Sequence, residues 1–158
     1  MEKSIAGYNQ EEWEKIEKDF NRDLENSRRY NKPFREIMED ILKGETYLSF
    51  ESKTGLSQNM YYRLLHEVDE KDPPQRSTII SVCVGYNLDI LMAQALLESL
   101  GLEFNRFKKR DYAYSFLLTR CRGKDVDECN EILKALGVEE KHYLGYHARR
   151  KVSQKKEK

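Results

Sequence analysis

The chain has 158 residues, with 28 Lys and Arg against 28 Asp and Glu, 39% hydrophobic and 35% charged side chains. So high a charged share beside a modest apolar one suits a single helical domain with extensions, and three Pro and eight Gly exclude collagen-like, Pro-rich and most turn-dense β architectures. The longest apolar-rich stretch, residues 88–102, is broken by Asp89, Gln94 and Glu98. It falls short of the roughly 18 apolar residues of a membrane span. Residues 1–7 lack the apolar core of a signal peptide, so a cytoplasmic protein with no membrane partner is expected.

In chain order, residues 8–30 read as a polar helix whose Trp13, Ile16, Phe20 and Leu24 make one narrow apolar stripe. Pro33 opens a helix carrying Phe34, Ile37, Met38 and Ile41, which stops at Gly44. Thr46 then caps a short helix with Tyr47, Leu48 and Phe50, and Gly55 supplies the positive φ of a tight turn. Ser57 caps a second helix bearing Met60, Tyr61, Leu64 and Leu65. Two helices joined by a three-residue turn around Gly are the helix-turn-helix arrangement. Residues 76–86 hold the apolar run Ile79-Ile80-Ser81-Val82-Cys83-Val84, which implies a central, buried helix. Asn87 is expected to cap the next one, with Leu88, Leu91, Met92, Ala95, Leu96 and Leu100 inward and Gly101 closing it. Two more helices are expected near 111–122 and 126–136, the second opened by an Asp125–Glu128 capping box and stopped by Gly137.

The string Lys53-Thr-Gly-Leu-Ser-Gln58, with Tyr61, Arg63 and Leu64 after it, resembles the Xre-family (Cro/repressor-like) helix-turn-helix of bacterial and phage repressors. Pro73-Pro74, the helix from Arg76 and Asn87-Leu-Asp89 are similar to the family's fourth and fifth helices, and residues 111–145 to a C-terminal helical extension that some members carry. The resemblance spans roughly residues 33–145. It implies an all-α fold: a five-helix repressor-like core, an N-terminal helix and a C-terminal helical pair. The expected divisions are an N-terminal charged helix over 1–32, the helix-turn-helix domain over 33–102, the extension over 103–146 and a basic disordered tail over 147–158. The implied function is sequence-specific binding of double-stranded DNA, as a transcriptional regulator of phage or mobile-element type. Two features depart from the family: Glu51 replaces a small residue four places before the turn glycine, with Lys53 and Arg63 as candidate partners, and residues 45–72 hold six acidic against three basic side chains. The second departure supports an alternative, a protein-interaction module on the same fold with weak or lost DNA binding.

Helical periodicity turns Tyr61 and Leu64 inward with Leu56. Gln58, Asn59, Tyr62 and Arg63 then face out, beside Ser57. Gln and Asn can read adenine and Arg guanine in a major groove, and Ser57 can bond a phosphate or a base edge. These five are the candidate DNA-binding residues. Charge is uneven along the chain: residues 106–158 carry 15 basic against 8 acidic side chains, concentrated at Arg106–Arg110 and in the tail from Arg149. Such clusters suit phosphate contacts.

No P-loop, GxGxxG, HExxH or GxSxG motif occurs, and His66, His142 and His147 are scattered. Cys83, Cys121 and Cys129 lack metal-ligand spacing. No enzyme, metal site, cofactor or small-molecule substrate is expected. A homodimer is, because one small motif reads few base pairs. Phe116, Leu117, Ile132, Leu133 and Leu136 of the C-terminal pair are its first candidate surface, and the Trp13–Leu24 stripe its second.

Overall fold

The computed structural model describes residues 4–29, 31–68 and 71–145. The tail over 147–158, His147, Asp69 and Glu70 lie outside the described residues. Within them the chain is all-helical, apart from an isolated bridge between Ile5 and Tyr8. It divides into two units at Asn31 and Lys32. No described helix is long and apolar enough to cross a membrane.

The first unit is helix α1, Gln10–Arg29. A reciprocal cap starts it: Asn9 Oδ1 accepts from the Glu12 N–H at 2.8 Å, and Glu12 Oε1 accepts from the Asn9 N–H at 3.1 Å. Of the stripe, Trp13 and Ile16 are half-buried, and Phe20 is 61% exposed.

The second unit holds α2 (Phe34–Ile41), α3 (Tyr47–Thr54), α4 (Gln58–His66), α5 (Arg76–Gly85), α6 (Ile90–Glu98), α7 (Lys109–Arg120), α8 (Val126–Ala135) and a 3-10 turn over Glu140–His142. Helix α5 is its centre, as its composition requires. Six consecutive residues from Thr78 to Cys83 are buried, and α3, α6, α7 and α8 all pack on it. Each fully buried Leu or Ile contributes about 1.5–3 kcal/mol, so a helix that carries Ile79, Ile80, Val82 and Cys83 on successive faces is stable only where neighbours surround it. Burial also pushes the Cys83 thiol up to about 12, which makes it an inert core group.

Two expectations are corrected. Asn87 does not cap α6. It adopts φ +52 and ends α5, with the Leu88 N–H reaching back to the Cys83 carbonyl at 2.8 Å, the role that Gly101 and Gly137 fill after α6 and α8. The α6 cap is Asp89, whose carboxylate accepts from the Met92 N–H at 2.9 Å. The later start turns the buried face to Met92, Ala93, Leu96 and Leu97, and leaves Leu91 58% exposed.

The second correction concerns the C-terminal pair. Leu117 and Leu133 are buried within this chain, because α7 packs on α5 and α6 and α8 packs on α5; Phe116 and Leu136 remain exposed. Polar side chains then fix the segment that follows. Tyr114 Oη donates to the His142 carbonyl at 2.6 Å, buried Asn130 exchanges two hydrogen bonds with the Leu144 backbone at 2.7 and 2.8 Å, and the Gly145 N–H donates to Ser81 Oγ at 2.9 Å.

Candidate nucleic-acid interface

Helices α3 and α4 meet in the turn Gly55–Leu56–Ser57, and local chemistry accounts for it. Thr46 caps α3 by accepting from the Ser49 N–H. Gly55 ends it at φ +73, a conformation other residues resist. Thr54 Oγ1 donates to the Phe50 carbonyl at 2.7 Å and accepts from the Leu56 N–H at 3.1 Å, so one buried hydroxyl shapes the turn. Leu56 and Leu64 are buried, and Tyr61 packs edge-on against Phe50 with ring centroids 5.2 Å apart.

The five candidate residues divide into three groups. Gln58, Asn59 and Tyr62 (47% exposed) stand on the outer face of α4, with His66 one turn beyond Tyr62. Ser57 is half-buried, and its Oγ accepts from the Met60 N–H at 3.2 Å, so one lone pair caps its own helix. Arg63 is drawn aside. Its guanidinium pairs with Asp72 at 3.2 Å and lines a cleft of about 540 Å³ between α4, the Pro73–Gln75 loop and α5. Leu56, Met60, Pro74 and Tyr143 supply that cleft's apolar wall.

Of the candidate partners of Glu51, Arg63 pairs with Asp72 at 3.2 Å and Lys53 with Glu45 at 2.8 Å. Hydrogen bonds to Glu45 from Lys53, and then from Ser49, hold that carboxyl below its ordinary range. Lys53 also lies 5.0 Å from the centroid of the Tyr86 ring. Lys53 and Arg63, on the two helices that flank the turn, are therefore both ion-paired.

Two residues that sequence reasoning missed support the turn from below. A Cβ on Gly85 would lie 2.7 Å from the Lys53 carbonyl oxygen, and one on Gly145 would lie 2.5 Å from the Thr54 carbonyl oxygen and 3.0 Å from Gly55 Cα. The end of the described chain therefore rests on the turn itself. The only local signal was a glycine inside an apolar helix and another after Tyr143-Leu144. Among the described residues no three His, Cys, Asp or Glu gather as a metal site. No family model, curated protein or solved structure matches the chain.

Proposed function

We propose that this chain binds double-stranded DNA sequence-specifically through an Xre-like helix-turn-helix formed by α3 and α4, and acts as a homodimeric transcriptional regulator of phage or mobile-element type. The observation that carries the reading is the outer face of α4. Gln58, Asn59 and Tyr62 are exposed together at the capped N-terminal half of a helix that follows a three-residue glycine turn. That end of a recognition helix is the part that meets base edges, and its N–H groups favour a nearby phosphate. Arg63 contributes to base reading only if it leaves Asp72.

A second reading, a protein-interaction module on the same fold, is favoured by the acidic excess over 45–72 and by exposed Leu48 and Tyr62. Selection from a random duplex pool at fixed salt separates the two. Enrichment of one motif, with Asn59→Ala and Gln58→Ala each weakening the selected site by about 1–3 kcal/mol and leaving random duplex unchanged, supports DNA reading. A pool that stays random supports the protein-interaction module.

A further inference from the structure

The loop between α6 and α7 holds an aromatic side chain where burial would ordinarily take it. Phe107 is 100% exposed. A ring left in water forgoes the stabilisation of burial, and a slack loop would fold it back onto the body. This loop is not slack. The Phe107 N–H donates to Asn105 Oδ1 at 3.0 Å, and the Asn105 N–H donates to Asp111 Oδ2 at 2.7 Å. Asp111 is wholly buried, paired with Arg110 at 3.0 Å and Arg76 at 3.6 Å. Arg76 also donates to the Glu103 carbonyl at 3.2 Å. A buried carboxylate is costly unless charges and N–H groups satisfy it, so this network fixes the loop over 103–111 in one shape.

The side chains around the ring are cationic. Arg106, Lys108, Lys109 and Arg110 fall between Glu103 and Asp111 with no acid among them. Arg110 is taken by Asp111, and Lys109 Nζ lies where a Cβ on Gly137 would come within 2.9 Å, at the C-terminal end of α8. Arg106 and Lys108 remain exposed on either side of Phe107. Tyr112, 66% exposed in the first turn of α7, adds a second ring.

We infer that Arg106, Phe107, Lys108 and Tyr112 form a second nucleic-acid contact, separate from the α4 face, that takes a single strand with unpaired bases. The cations follow the phosphates and the rings stack on base faces. A duplex offers such a face only after a base step is unstacked and wedged open, whereas an unpaired strand offers it freely. The inference does not depend on duplex reading by α4.

The test uses the full chain, a labelled mixed-sequence single strand, the same strand as duplex, and phosphatidylglycerol-containing vesicles. Phe107→Ala raises the single-strand Kd about five-fold to a hundred-fold, whereas Phe107→Trp keeps it near the native value. Replacing Arg106 and Lys108 together by Ser flattens the salt dependence of single-strand binding. Asn59→Ala leaves single-strand binding unchanged, so failure of the α4 reading shows separately. Three results would overturn the inference: no single-strand binding by the native chain, equal single-strand affinity of native and Phe107→Ala chains, or Phe107→Ala abolishing vesicle binding alone.

Discussion

Gly85 and Gly145 meet the backbone of the same turn, and both matter for what they lack. At Gly145 an added Cβ faces two costs: φ is +59, and the nearest atoms are backbone that cannot swing away. Gly145→Ala is expected to destabilise the fold by about 2–4 kcal/mol. Gly44 is the control, because at φ +80 it has nothing within 4 Å of an added Cβ, and Gly44→Ala should cost only about 1 kcal/mol. Urea unfolding of both variants checks the difference. At this scale the sequence was legible where the chemistry is local. Thr46, Gly55, Ser57, Asp125 and Glu128 act on N–H groups or dihedrals within three residues, and each does in the structure what its spacing announced. Gly145, Ser81 and Asn130 act on partners 14 to 91 positions away, which no local pattern records.

Helices were legible in number and position, and less so in register. The expected inward face of α6 holds at Met92, Leu96 and Leu100 and fails at Leu91, whose place Ala93 and Leu97 take; two polar residues, Asn87 and Asp89, could each have opened the helix. Asn tolerates a left-handed φ better than most residues, and Asp caps well, so the observed division suits both. Helix α7 raises the opposite question, why an acid in its first turn is fully buried. Asp111 accepts from the Asn105 N–H and pairs with Arg110 and Arg76, tying the loop over 103–111 to the starts of α5 and α7. Asp111→Ala should therefore cost about 2–4 kcal/mol, less than a fully buried triad because both Arg side chains keep partial contact with water. Thermal unfolding measures the loss. An isosteric Asp111→Asn chain that unfolds at the native temperature would show that hydrogen bonding alone, without the charge, holds the loop.

A dimer is a property of the whole molecule, and the fold changes where it would form. The expected C-terminal surface loses its centre, since Leu117 and Leu133 complete this chain's own core and leave Phe116 and Leu136 exposed and Ile132 half-buried. A chain cut at Leu102 would strip cover from α5 and is no longer a clean test. The second candidate surface is the α1 stripe, where Phe20 and Leu24 are exposed on the same face as Trp13 and Ile16. Its charge gives the pairing a direction. Residues 10–19 hold five acidic and two basic side chains, and residues 20–29 hold two acidic and three basic. Two copies side by side and parallel set acidic halves together, whereas an antiparallel pair sets each acidic half against a basic one and Trp13 near the partner's Leu24. Light scattering at concentrations on the order of tens of micromolar should show a dimer for the native chain, a monomer for the Phe20→Glu, Leu24→Glu chain, and a dimer still for the Phe116→Glu, Leu136→Glu chain. The monomeric variant should bind an isolated half-site like the native chain and lose the added affinity of two half-sites one helical turn apart. A native chain that is monomeric in the same range, yet still protects two half-sites, would place the pairing on DNA rather than on α1.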